Sequence, residues 1–326
     1  RPGAGRRLPT RFHSWAGTFA ASRPVCPGVP DAYKQVIAEF PYNDLGRFRE
    51  LMARHGDSVA AVIVEPTLVE RPVAGFLAAL AEETRKAGAL LISDEVVCGF
   101  RWHLQGAMWG TYGVKPDLAI FGKAISNGAF PVSALVGDRD LMRHAWAASG
   151  TYNGHPVGLA AVGAVLDEME VWSSASLQRF PTPLSRLWEA GALLFSTLTE
   201  LLAVECPAGG ELFEVLGGPP RILLRCRPQI EPEQQRLVMT LFLQEMAACG
   251  ILWHPAGVNP MAAHRGEDME DVISALREVL PLVCEAYVTD TLRDRLGGPP
   301  LDPGLTARAD VGHGLSKAES GGGRDK

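Results

Sequence analysis

Two short apolar runs constrain this chain more than any other feature. Leu90-Leu91-Ile92 runs into Ser93-Asp94-Glu95, and Leu118-Ala119-Ile120-Phe121 runs into Gly122-Lys123. A buried parallel strand of an α/β sheet delivers a functional group in this way: its apolar body is covered on both faces, and its last residue meets the crevice outside the carboxyl edge, where ligands bind. Asp94 and Lys123 are therefore expected to face one ligand.

The flanking segments fit that reading. Val59 to Val64 reads as a buried strand ending at Glu65-Pro66, a helix runs from about Gly75 to Ala87 and is closed by Gly88, and Leu90 opens the next strand. Strand, helix, strand at this spacing is a βαβ unit, so Glu65 and Asp94 leave parallel neighbours at the same edge. Leu118 to Phe121 is a third strand and Ser133 to Gly137 a fourth, with Lys123 in the loop between them, beside the Asn127-Gly128 turn signal. Upstream, Asn43 or Asp44 caps a helix through Leu45, Phe48, Leu51 and Met52 that ends near Gly56. Downstream come a connecting helix from about Pro156 to Val171 and a second from Leu184 to Leu202. Strand Arg221–Cys226, helix 231–249, a short strand around Ile251 to His254 and helix 268–287 follow, the pattern of a small α+β domain. The expectation is an α/β chain: a mostly parallel sheet domain over 1–155, a connecting helix and smaller C-terminal α+β domain over 156–290, and a Gly/Pro-rich, disordered tail over 291–326.

Composition removes several classes of function. The 326 residues carry a net charge of −6 with no basic block, which argues against a nucleic-acid groove or a membrane surface. The six cysteines, at 26, 98, 206, 226, 249 and 284, form no Cys-x-x-Cys pair and have no histidine at ligand spacing, so no metal site is expected and buried thiols in a reducing compartment are. No apolar run in the sequence reaches the roughly 18 to 20 residues of a membrane helix, and the basic start has no signal-peptide core behind it; the expectation is a cytoplasmic protein. A Gly-x-Gly-x-x-Gly turn, which a nicotinamide-dependent dehydrogenase would need, is absent from the sequence. The chain opens on Arg1 rather than Met, as an incomplete copy of something longer would.

An ammonium group in a glycine-bordered loop at a ligand edge is a candidate nucleophile toward a carbonyl, since desolvation lowers its proton affinity. A carboxylate ending the adjacent strand could hold a pyridine nitrogen protonated and make that ring an electron sink. A Schiff-base lysine with an aspartate on the pyridinium nitrogen is the pairing used with pyridoxal phosphate. Taken singly, Asp94 reads more readily as a cap or surface charge, and Lys123 as a solvated loop residue.

The set of motifs resembles a known family. Asp94-Glu95-Val96-x-x-Gly99-Phe100-Arg101, then Pro116-Asp117-Leu118-x-x-x-Gly122-Lys123 and Asn127-Gly128-x-x-Pro131-Val132-Ser133-Ala134, resembles the signature of the class III, fold type I aminotransferases, nearest the glutamate-1-semialdehyde aminomutase-like branch. The resemblance extends over residues 12 to 287. It implies pyridoxal 5'-phosphate as cofactor, Lys123 as the Schiff-base lysine that also moves the proton, Asp94 on the pyridinium nitrogen and Val96 on one ring face. Phe12, with His13, matches an aromatic-His-Gly motif that stacks on the other face, although Ser14 stands where glycine is usual and core packing is the competing reading. Glu65-Pro66 matches the family's strand-end pair, and Glu70 falls on its substrate side or, equally, in a solvated loop. Thr151 matches a threonine that reaches the cofactor phosphate of a neighbouring subunit, which implies a homodimer with shared sites; its alternative is a helix cap. The substrates implied are a small-molecule amino donor and a keto or aldehyde acceptor, in transamination or aminomutation. The phosphate-binding Ser/Gly/Thr loop expected before Phe12 is not found in Arg1 to Arg11, so a non-catalytic homologue acting only as a structural partner stands as the alternative.

Overall fold

The computed structural model describes residues 8–11, 32, 36–67, 69–145, 150–173, 182–205, 207–264 and 266–301. The chain forms two compact units, Arg1–Leu184 and Ser185–Lys326. The boundary expected at 155/156 lies later because the helix Pro156–Ser173 packs on the turn that begins at Lys123, with the ring of Phe130 2.9 Å from where a Cβ of Gly158 would stand and stacked on His155 at 4.9 Å.

In the first unit the described strands are β1 (Leu8–Arg11), β2 (Ile37–Ala38), β3 (Ala61–Val64), β4 (Leu90–Asp94), β5 (Leu118–Phe121) and β6 (Ala134–Gly137), in the sheet order β2-β1-β3-β4-β5-β6. Neighbouring pairs from β2 to β5 are parallel, and β6 runs antiparallel to β5. β1 was not foreseen from the sequence. Helix α1 (Leu45–His55) is capped by Asp44, whose side chain accepts from the Arg47 N–H at 2.8 Å, which settles the choice between Asn43 and Asp44. Helix α2 (Phe76–Lys86) makes the crossover between β3 and β4. Phe48, Val62, Val64, Phe76, Leu80 and Met108 are buried in one core cluster that covers the sheet. All four residues of β3 are buried, which is why its sequence shows no alternation.

The second unit is built around the antiparallel pair β7 (Phe213–Gly218) and β8 (Arg221–Cys226), with the helices Pro183–Glu200, Pro232–Ala248 and Gly266–Val288. β7 was not foreseen. The strand expected at Ile251 to His254 does not form: Leu252 is exposed while Trp253 packs edge-on against Phe242, and the backbone bridge to β8 falls later, between Val258 and Ile222. The expected tail begins too early. Residues 291–301 include a helical turn at Arg293–Arg295, Leu292 is buried, and Gln244 ties the segment through the carbonyl of Arg295 and the N–H of Gly297.

Helix Pro183–Val204 is long and apolar enough to cross a membrane, contrary to the expectation that no such run exists. Its Leu187, Ala190, Leu194 and Leu198 are buried, the last three within the core of the second unit. Cys98, Cys226 and Cys284 are buried as expected, whereas Cys249 is exposed at the end of its helix.

Two helical glycines give opposite expectations. A Cβ at Gly191 would stand 1.9 Å from the carbonyl oxygen of Pro219, so Gly191→Ala forces the helix away from the β7–β8 turn and should cost roughly 1–3 kcal/mol of stability. At Gly163 a Cβ meets nothing within 4 Å, and Gly163→Ala should stabilise by about 0.5–1 kcal/mol. Urea unfolding midpoints of the two variants check both.

Candidate functional site

The parallel register pairs Asp94, the last residue of β4, with Ile120 of β5, and the N–H of Glu95 donates to the Ile120 carbonyl at 2.8 Å. β5 ends at Phe121, so Gly122 and Lys123 leave the sheet beside Asp94. Lys123 stands at φ +46, a left-handed conformation that a non-glycine residue adopts only where its surroundings impose it. Gly122 before it is extended, and a Cβ there would lie 3.3 Å from a methyl of Val96. Asp94, Val96 and Lys123 are thereby brought together at the carboxyl edge.

Asp94 is only 6% exposed, and one of its carboxylate oxygens accepts from the Val96 N–H at 3.1 Å. Burial pushes its proton affinity above that of an ordinary aspartate; the Val96 hydrogen bond and the Lys123 ammonium oppose the shift, and the neighbouring Glu95 reinforces it. Lys123 itself is exposed, so the burial that would desolvate it is not found.

Glu95 received no role from the sequence, yet its carboxylate is met on both oxygens. It is 2% exposed, and its two oxygens accept from the Ser93 hydroxyl (2.9 Å), the Cys98 thiol (3.1 Å) and the N–H groups of Ala107 (2.8 Å) and Met108 (2.9 Å). The carboxylate thus fastens the turn at Ala107–Thr111 to the end of β4. Glycine is required at two points around it. A Cβ at Gly99 would fall 2.6 Å from the Glu95 carbonyl and 2.7 Å from the Phe121 ring, and Gly106 turns at φ +83 with its Cβ position 3.0 Å from the Glu95 carboxyl. Cys98 is fully buried, and burial together with Glu95 raises its thiol pKa, so it is an inert thiol rather than a nucleophile.

The remaining sequence candidates are distributed as follows. Glu65 is buried just beyond β3, at the same edge as Asp94. Glu70 is exposed in the loop that follows and accepts a hydrogen bond from Asn43. Thr151 is exposed in the turn 150–154 ahead of helix Pro156–Ser173, and among the described contacts nothing joins it to Asp94 or Lys123. Phe12 and His13 lie outside the described residues.

The arrangement is that of a fold type I transferase domain, with an acid and a lysine at adjoining strand ends of a mostly parallel sheet. The chain belongs to the class-III aminotransferases, whose family model matches residues 15–200. It is 42% identical over 166 residues to a glutamate-1-semialdehyde 2,1-aminomutase of Pyrobaculum aerophilum, covering 48% of this chain and 39% of that protein. It is 34% identical over 282 residues to that of Thermomicrobium roseum, covering 81% and 62%. The chain therefore spans less than two thirds of the length of these relatives. Among solved structures, the fold is shared with the pyridoxal-phosphate internal aldimine form of the Sphingopyxis sp. MTA144 FumI protein (TM-score 0.71, 22% identity, 87% of this chain and 67% of that one). It is shared too with an omega-transaminase from Sphaerobacter thermophilus (TM-score 0.71, 22% identity, 86% and 69%).

Two predictions follow from the buried carboxylates. Because the folded state raises the Asp94 pKa, its proton stabilises the fold fully below the ordinary carboxylate range, and that contribution is lost as pH rises through the raised value. Asp94→Asn keeps an acceptor for Val96 and should remove this loss, so cofactor-free variant and parent, compared by urea unfolding across pH, diverge in the variant's favour above that range. Glu95→Gln places an amide against donors and should destabilise by roughly 1–3 kcal/mol for the backbone donor left unpaired.

Proposed function

We propose that the chain carries out pyridoxal-phosphate-dependent transfer of an amino group, as a transaminase or an aminomutase, with Lys123 as the Schiff-base lysine. The observation that carries this reading is the placement of a buried carboxylate and an exposed amine at the ends of adjacent strands, coupled electrostatically and separated by Val96.

The residues fit the cofactor. A buried carboxylate whose burial favours the proton gains from an adjacent cationic N–H, and a protonated pyridine nitrogen is such a partner for Asp94. Val96, half-buried against Gly122, offers an apolar surface for one ring face. Pyridoxal phosphate supplies a carbonyl carbon for amines and a ring that accepts the electron pair released at the substrate carbon. Lys123 would supply the primary amine that holds that carbonyl and the base that moves the proton at the substrate carbon. The left-handed backbone at Lys123, adjoining an extended glycine, fixes where the side chain departs from the sheet. Asp94 would hold the proton on the ring nitrogen and so maintain the ring's electron demand.

The substrates in this reading are a small-molecule amino donor and a keto or aldehyde acceptor. The likeness to glutamate-1-semialdehyde 2,1-aminomutases supports an aminomutase-type substrate, in which donor and acceptor carbons belong to one molecule. Thr151, exposed ahead of its helix, is available to a second subunit, which supports a homodimer in which it meets the partner's cofactor phosphate. By the family resemblance, Phe12 and His13 would serve the other ring face and Glu70 the substrate side.

Adding pyridoxal phosphate to the chain should produce a visible absorption band, abolished in Lys123→Ala and restored in neither Lys123→Arg nor Lys123→Gln. Absence of a band at saturating cofactor would overturn the assignment for this chain.

A further inference from the structure

The loop that leaves β3 is held from outside the sheet by two consecutive residues. The Tyr42 phenol donates to the carbonyl of Pro66, with its ring edge-on to Phe76 at 5.1 Å. Asn43 then uses both ends of its amide. Its nitrogen donates to a Glu70 carboxylate oxygen at 2.9 Å and to the Arg71 carbonyl at 2.9 Å, and its oxygen accepts from the Val73 N–H at 2.8 Å. These bonds join segments 24 to 30 residues apart in the sequence. Asn43 does this from φ +63, where the short amide side chain is tolerated and most others are strained. The stapled loop leaves β3 at the carboxyl edge from which its parallel neighbour β4 delivers Asp94: Tyr42 holds the carbonyl of Pro66, directly after the buried Glu65.

We propose that Asn43 is a positioning residue for the substrate side of the site, fixing the Glu70 carboxylate so that it meets the incoming amino donor. This rests on the reading of the chain as a pyridoxal-phosphate enzyme. An exposed glutamate on a free loop would sample many rotamers and lose conformational entropy on each encounter, whereas one already hydrogen-bonded through its carboxylate presents its second oxygen in a fixed place. Asn43 touches neither Asp94 nor Lys123 in any described contact, so its effect should fall on substrate binding rather than on cofactor binding or the chemical step.

The test uses Asn43→Gly, because glycine adopts φ +63 without strain and deletes the staple without forcing the backbone. Asn43→Asp keeps an acceptor for Val73 but loses both donor bonds and sets a second negative charge beside Glu70. Glu70→Gln retains an acceptor for Asn43 and removes only the charge. In the cofactor-free chain, amide exchange at Val73 should quicken in Asn43→Gly and stay near the parent rate in Glu70→Gln. With cofactor, the absorption band should be unchanged in all three. KM for the amino donor should rise roughly three- to tenfold in each, the worth of one hydrogen bond, with kcat within about twofold. Asn43→Gly combined with Glu70→Gln should fall short of the product of the single effects. A faster Val73 amide with unchanged KM makes the staple purely structural and overturns this inference alone. Unchanged exchange in Asn43→Gly overturns it as well. A parent chain that forms no band fails the reading of function and takes this inference with it.

Discussion

The parallel pairing of β4 with β5 is the constraint on which the rest of the site depends. With Asp94 opposite Ile120, the acid ends its strand while the neighbour has one residue left before Gly122 and Lys123. A slip of one residue in that register would turn Asp94 to the other face of the sheet and break the pairing of acid and amine. The register is held by ladder hydrogen bonds and by side chains that fit only in this alignment: Val96 over Gly122, and the Phe121 ring over Gly99 at a separation no Cβ would permit. The glycines of the motif are thus the spaces into which the neighbouring strand's side chains fall.

Glu95 extends this constraint outward. A carboxylate buried at 2% exposure is costly unless its lone pairs are met, and here four donors from three segments converge on it. Consecutive acidic residues at the end of one strand divide the labour: Asp94 offers its carboxylate to the edge, and Glu95 turns inward to lock the following turn. The like charge of the inner residue adds to the proton affinity of the outer one, so the device that rigidifies the site also biases its electrostatics.

What could be read in the sequence followed from the range of the forces involved. β3, β4 and β5 were legible because strands covered on both faces show as unbroken apolar runs, and Asp94 and Lys123 because a charge closing such a run is conspicuous. Glu95 and Asn43 were not, since their importance lies in partners 12 to 30 residues away that no local pattern announces. The strand expected at Ile251 to His254 had the right composition, but the bridge to β8 is made later, by Val258. β7 was hidden by Glu214, whose charge sits in a strand only because Arg225 pairs with it across the hairpin at 2.6 Å. The sequence set Lys123 in a loop after a strand, but how far it is exposed depends on the packing around that loop rather than on the residues beside it.

The reversal at β6 gives the lysine its mechanical setting. Had the sheet continued parallel, the chain after Lys123 would have had to cross to the opposite edge before re-entering. Because β6 is antiparallel, Phe121 and Ala134 pair directly, and residues 122–133 leave and return at the same edge. The loop is a closed ring whose two ends are clasped together, and the lysine sits two positions from the clasp. Whatever happens to the far side of that ring, its anchor stays registered through β5 to the strand that carries the acid, so the spacing of acid and amine is set by strand pairing.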